Sequence, residues 1–228
     1  MTMADPVLLT FSAPLPDPAV GEFLELRLGL VRVAMSDSPA QLDNAREALR
    51  VIGRNADQAI RKTDVHRADD LFETVCSAAR VHISDARQLL ASPSFSRDEL
   101  VQARQRLYRG VCLVAEALAA TSGSRTARSR SSQPPTRGRG VLFASFVTQV
   151  VAATRANPKD VRWVLEVAEA EINVAVAHPD FSRVSAEQRN SLRSLRAEIA
   201  AWTNGSRNPD VGLSLLNRLI LLVDCLNH

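Results

Sequence analysis

Aromatic side chains make up only 4% of this sequence, and glycine occurs 9 times in 228 residues. Few aromatics argue against a β-sandwich, whose strands draw on aromatic and β-branched residues. Few glycines leave little material for a phosphate-cradling loop, and neither a phosphate loop, a dinucleotide fingerprint nor a nucleophile elbow occurs. The three cysteines, Cys76, Cys112 and Cys225, are odd in number and far apart, with no CxxC. That excludes a disulfide framework and a cysteine zinc site, and it points to a reducing, intracellular and cytoplasmic setting. No HExxH or ExxH is present, so no metal or other cofactor is expected. The longest apolar candidate for a membrane span, "LSLLNRLILLVDCL", is broken by Asn217, Arg218 and Asp224, so no membrane partner is expected. The N-terminus has no basic region and carries Asp5, which does not read as a secretory signal.

Lysine is nearly missing too. Of 28 basic residues only Lys62 and Lys159 are lysines. The arginine bias runs through the whole chain, so it reads first as coding composition. Arginine nonetheless suits bidentate contacts to phosphate and carboxylate. Its charge is unevenly placed. Residues 1–121 carry 14 basic and 16 acidic side chains, and residues 141–228 carry 9 of each. Residues 122–140 carry 5 arginines and no acid, and so hold the entire positive excess of +3.

What is present in quantity is aliphatic: 46% of residues are apolar, rich in Ala, Leu and Val. These recur at steps of three and four, which is the period of an amphipathic helix. The pattern predicts an all-α protein of about eight helices in two bundle halves. An extended N-terminal arm (1–17), broken by Pro6, Pro14 and Pro16, precedes the first bundle (18–121). A basic flexible linker rich in Arg, Ser, Pro and Gly (122–140) leads to the second (141–228). Helix 1 is predicted over 18–35, although "LELRLGLVRV" also alternates like a strand. Helix 2 is capped by Ser38 with Pro39 first and buries Leu42, Ala45, Leu49, Ile52, Ala56 and Ala59. Helix 3 is predicted from Thr63 or Asp64, with His82 in its apolar seam beside Ala79 and Ala86. Helix 4 is capped by Ser96 in a box with Glu99, and buries Leu100, Ala103, Leu107, Val111, Val114 and Leu118.

Beyond the linker, helix 5 spans about 141–156. Helix 6, capped by Asn157 with Pro158 first, is apolar on so much of its circumference that it should be central. Helix 7 carries Leu192, Leu195, Ile199 and Trp202 and ends at Gly205, a residue suited to the left-handed position. Helix 8, capped by Asn208, is so apolar from Leu213 to Leu226 that burial is expected. "ASPSFSR" at 91–97 matches "AHPDFSR" at 177–183 in five of seven positions. A duplication would equate helices 2–3–4 with 5–6–7, and would align Asp85 with Glu171. Chance recurrence of good turn residues explains the match equally well.

Candidate chemistry is sparse. His66, Asp69, Asp70 and Glu73 supply metal-type ligands from one helix only, and read as a solvated face. Trp163 and Trp202 read as core. No catalytic constellation stands out, so the chain reads as a non-enzyme. The linker arginines Arg125, Arg128, Arg130, Arg137 and Arg139 are the candidate nucleic-acid-binding residues. Mobile arginines neutralise phosphates without reading sequence. Ser129, Ser131 and Ser132 beside them offer phosphorylation sites that would cancel the charge. Two functions follow as expectations. One is a self-associating, coat- or nucleoprotein-like homo-oligomer that lays its linker on single-stranded nucleic acid. The other is a two-module helical adaptor or regulatory protein that binds a protein partner, with the linker as spacer.

Overall fold

The computed structural model describes residues 18–33, 35, 38–65, 70–129, 149–155, 160–177, 181–182, 184–205 and 208–227. The N-terminal arm, most of the linker, His66, Asp69 and most of the expected helix 5 lie outside them. The architecture is all-α, as the apolar periodicity requires, with no strand among the described residues. The helices are α1 (Pro18–Arg32), α2 (Pro39–Val65), α3 (Asp70–Ala91), α4 (Arg97–Ser129), α5 (149–155), α6 (Val161–Ala177), α7 (Ala186–Asn204) and α8 (Pro209–Asn227).

The ambiguous first segment is a helix. Phe23, Leu26, Arg27, Leu30 and Val31 are buried on one side of it, a spacing that only the helical period brings together. α2 starts where Ser38 and Pro39 place it and runs to Val65, past the predicted break at Thr63. Thr63 is buried and bonds back from its hydroxyl to the Ala59 carbonyl at 2.8 Å, which keeps a β-branched polar residue inside a helix. α3 therefore begins at Asp70. Its buried line is Phe72, Cys76, Ala79, Ile83, Ala86 and Leu90. His82 sits one position off that line and is half-buried at its edge, so the seam assigned to it belongs to Ile83.

α4 is built as its capping box predicts. The Ser96 hydroxyl accepts from the Glu99 backbone N–H at 3.2 Å, and Glu99 reaches back to the Ser96 N–H at 2.7 Å. The predicted stripe is buried, and so are Arg104, Tyr108, Cys112 and Ala115 beside it. α4 accordingly packs against α1, α2, α3 and α6. Gly110 lets α3 come close: a Cβ there would stand 3.0 Å from the Ala79 carbonyl oxygen. The carbonyls left open at the end of α3 are taken up from α2. Arg46 donates to the Leu90 oxygen from Nε at 3.0 Å, and Arg50 does so from a terminal nitrogen at 2.8 Å. Arg46 also lies over the Phe95 ring, 4.2 Å from its centre. These arginines have structural work to do, beyond any bias of coding.

α6 is central to its half, touching α4, α7 and α8. Its cap is Asp160 rather than Asn157. The Asp160 carboxylate accepts from the Trp163 backbone N–H at 3.0 Å, and the helix begins at Val161. α7 is capped by Ser185, four residues past Phe181, whereas Ser96 caps α4 directly after Phe95. The two matching turns therefore start their helices in different registers. Gly205 has φ −118°, outside the left-handed region. A Cβ there would lie 2.9 Å from the Ala201 carbonyl oxygen, so close approach is what favours glycine. Trp202 is half-buried over the α7–α8 turn, donating from Nε1 to the Asn208 carbonyl at 2.9 Å. Gly212 makes room for its ring, since a Cβ would stand 2.6 Å from it. One hydrophobic core runs through the helices on both sides of residues 130–148, because α6 lies directly on α4.

Candidate functional site

α4 continues to Ser129, so Arg125 and Arg128 fall on its last turns rather than in an extended linker. Their side chains, and the whole of Arg130, Arg137 and Arg139, lie outside the described residues. The chemistry that is described concentrates where α1, α4 and α6 meet.

Glu171 of α6 is buried there with three partners. Arg27 of α1 places Nε 3.3 Å from its Oε1, Tyr108 of α4 donates its hydroxyl to the same oxygen at 2.7 Å, and the Cys112 thiol stands at 3.9 Å. None of the four is more than 6% exposed. Burial pushes the Glu171 carboxyl up, while the Arg27 charge and the Tyr108 hydroxyl pull it down. Burial works against the Arg27 cation, but Glu171, with Cys112 and Tyr108 behind it, outweighs burial and raises the guanidinium above its ordinary value. Burial, then the Glu171 charge, lifts both the Tyr108 phenol and the Cys112 thiol well above their usual ranges. A neutral thiol and a neutral phenol sealed from water are not nucleophiles. The cluster acts as a polar bolt between α1, α4 and α6.

A second bolt lies beside it. The Arg104 guanidinium, fully buried, stacks 3.9 Å above the Trp163 ring. It donates to the Val33 carbonyl at 2.9 Å and to the Asp160 carboxylate at 3.3 Å. Burial brings it down to about 10, against the pull of Asp160. Tyr108 meets Trp163 edge to face, with ring centres 5.3 Å apart. Trp163 is therefore core, as its place on α6 suggested.

Above these bolts a cleft opens between α3, α4 and α6. It has two adjoining hollows of about 250 and 270 Å³, which share His82, Gln105 and Arg109. The first is walled by Trp163 and Glu166, with Glu116 and Glu169 also lining it. The second is lined by Arg106, Arg109 and Arg162 and by no carboxylate. Three buried polar atoms among the residues of the cleft lack a hydrogen-bond partner: Trp163 Nε1, Glu166 Oε2 and His82 Nδ1. Burial raises the Glu166 carboxyl, with Arg162 opposing from 2.8 Å. Burial, then Arg109 and Arg106, holds the His82 imidazole below its ordinary value, so it is neutral near pH 7.

The other departure from expectation is α8. Leu215, Leu219 and Val223 are buried, but the opposite face is open. Leu213 is 50% exposed, Leu221 65% and Ile220 42%. The helix is two-faced, with apolar residues on both sides. Arg218, on its flank, forms a two-pronged ion pair with Glu198 of α7. Among the described residues, no helix is long and apolar enough to cross a membrane.

The sequence did carry a signal for the bolts. Arg27 falls between Phe23 and Leu30 on the buried stripe of α1, and Glu171 falls between Ala168 and Val174 on α6. A charge inside an apolar stripe calls for a buried partner. Which charge answers which depends on how the helices meet, and periodicity does not supply that. Removing one partner leaves the other buried and uncompensated. Arg27→Met should therefore cost about 3–5 kcal/mol. Arg27→Met with Glu171→Leu should cost less than Arg27→Met alone, measured by denaturant unfolding. No family model matches this chain, nor does any curated protein or solved structure.

Proposed function

We propose that the protein is a non-enzymatic helical assembly protein of the coat or nucleoprotein kind, which pairs with copies of itself through α8 and contacts nucleic-acid phosphates through its linker arginines. The observation that carries this reading is the open apolar face of α8. Leu213, Ile220 and Leu221 lie on it at helical spacing, and Asn217 stands at its middle. Asn217 is equidistant in sequence from Leu213 and Leu221. An antiparallel two-fold pairing centred on Asn217 sets Leu213 of each copy against Leu221 of the other, and lets the two asparagine amides bond to each other. Such self-complementarity is what an isologous dimer requires, and one polar residue in an apolar seam fixes its register. The buried thiols of Cys76 and Cys112 suit a reducing cytoplasm. Arg125, Arg128, Arg130, Arg137 and Arg139, with no acid among them, supply the phosphate-binding charge.

Leu221→Asp tests the pairing. The side chain is exposed in the single chain, so helicity should change little, and the melting temperature should fall only by what pairing adds. Sedimentation velocity should show wild type as a dimer or larger and the variant as a monomer. A monomeric wild type at all concentrations would remove self-assembly and favour the adaptor reading.

Replacing the five linker arginines with Gln tests the second half. Wild type should bind a generic single-stranded RNA by fluorescence anisotropy, with a log–log salt slope of up to about −3.5, from roughly 0.7 per contact. The variant should lose most of that binding at low salt with its melt unchanged. Equal affinities would reduce the linker to a spacer.

A further inference from the structure

The cleft between α3, α4 and α6 has a polarity that neither bolt needs. One hollow gathers three arginines, Arg106, Arg109 and Arg162, and no carboxylate. Arg106 pairs with Asp85, and Arg162 gives its Nε to Glu166. Arg109 is exposed and has no ion pair among the described residues. The adjoining hollow is walled by Trp163, 1% exposed, and by the Glu166 carboxylate, whose side chain is 9% exposed. Each ends in a polar atom without a hydrogen-bond partner, the Nε1 donor of Trp163 and the Oε2 acceptor of Glu166. His82 Nδ1, at the junction of the hollows, is a third. An unmet buried donor or acceptor costs about 1–3 kcal/mol, so three covered atoms on residues lining one opening leave a deficit that a polar occupant reaching them would relieve.

We infer that this cleft binds a nucleotide, with the phosphate in the arginine-lined hollow and the base in the hollow walled by Trp163 and Glu166. Arginine offers a fork of donors that matches a phosphate. The edge of a base carries donors and acceptors side by side, which complements an indole N–H and a carboxylate oxygen on one wall. Two adjoining hollows of about 250 and 270 Å³ suit a two-part ligand. An inorganic phosphate would fill only one of them. The site is separate from the linker and adds to it: the linker arginines take phosphates of any sequence, whereas the cleft holds a single nucleotide, free or as one unit of a strand.

The test is isothermal titration of the full chain carrying the five linker Arg→Gln changes, so that linker binding and cleft binding are read separately. The probes are the four nucleoside 5′-monophosphates, the matching nucleosides, inorganic phosphate and a single-stranded RNA tetramer. At least one monophosphate should bind saturably, with its nucleoside and inorganic phosphate each weaker by about tenfold or more. Arg109→Gln, an exposed position, should weaken that binding by about tenfold or more, as loss of a charge-assisted hydrogen bond implies. A tetramer tighter than the monophosphate identifies a strand as the source, and a monophosphate tighter than the tetramer identifies the free nucleotide. No saturable monophosphate binding up to about 5 mM, far weaker than a specific site gives, would overturn the inference. So would inorganic phosphate binding as tightly as the nucleotide, or an affinity unchanged by Arg109→Gln.

Discussion

Arg27 is a charge that cannot be left alone. It faces inward from a leucine-rich helix, and the Glu171 carboxylate, 144 residues later, stands 3.3 Å from it. An uncompensated cation in an apolar interior costs several kcal/mol, comparable to the margin by which a domain is stable at all. Folding of α1 against α4 is therefore tied to the arrival of α6. Arg104 repeats the constraint, joining the Val33 carbonyl after α1 to the Asp160 cap before α6 across the Trp163 ring. These two bolts make the helices before and after the linker share one core. A chain bolted in this way can carry a charged linker of unrelated composition without the halves drifting apart.

With the interior so committed, two surfaces among the described residues stand out for interaction. The acid, phenol and thiol around Glu171 are spent on structure, which supports a reading in which recognition outweighs chemistry. α8 is bound on one face and open on the other. The cleft above the bolts inherits its Trp163 wall from the Arg104 stack, so the same packing that secures the core also shapes its opening.

Much of this was legible from residue spacing. The all-helical class, the Ser38 and Ser96 caps, the stripe of α4 and the centrality of α6 all follow from local rules, because capping and amphipathicity are properties of a few neighbouring residues. Local rules also misled. Asn157–Pro158 makes a good helix start, but the Asp160 carboxylate three residues on reaches the Trp163 N–H and sets the cap. His82 falls on the step from Ala79 to Ala86, but Ile83 takes the core position. α8 looked buried because apolar content alone cannot say whether its neighbours, α6 and α7, cover one face of it or both. The cleft, and which charges pair within the bolts, could not be read for a related reason. Their members come from three or four helices, and the sequence gives no crossing angles.

In the proposed assembly the open face of α8 meets its own copy about Asn217. The most direct measurement is cysteine cross-linking of Asn217→Cys under mild oxidation, read on a non-reducing gel against wild type. A two-fold pairing centred there brings the two introduced thiols within disulfide reach, which needs Cα atoms under about 7 Å apart. Rapid conversion to a covalent dimer is expected, which Leu221→Asp in the same chain abolishes. An Asn217→Cys protein that stays monomeric at concentrations where wild type associates would contradict it.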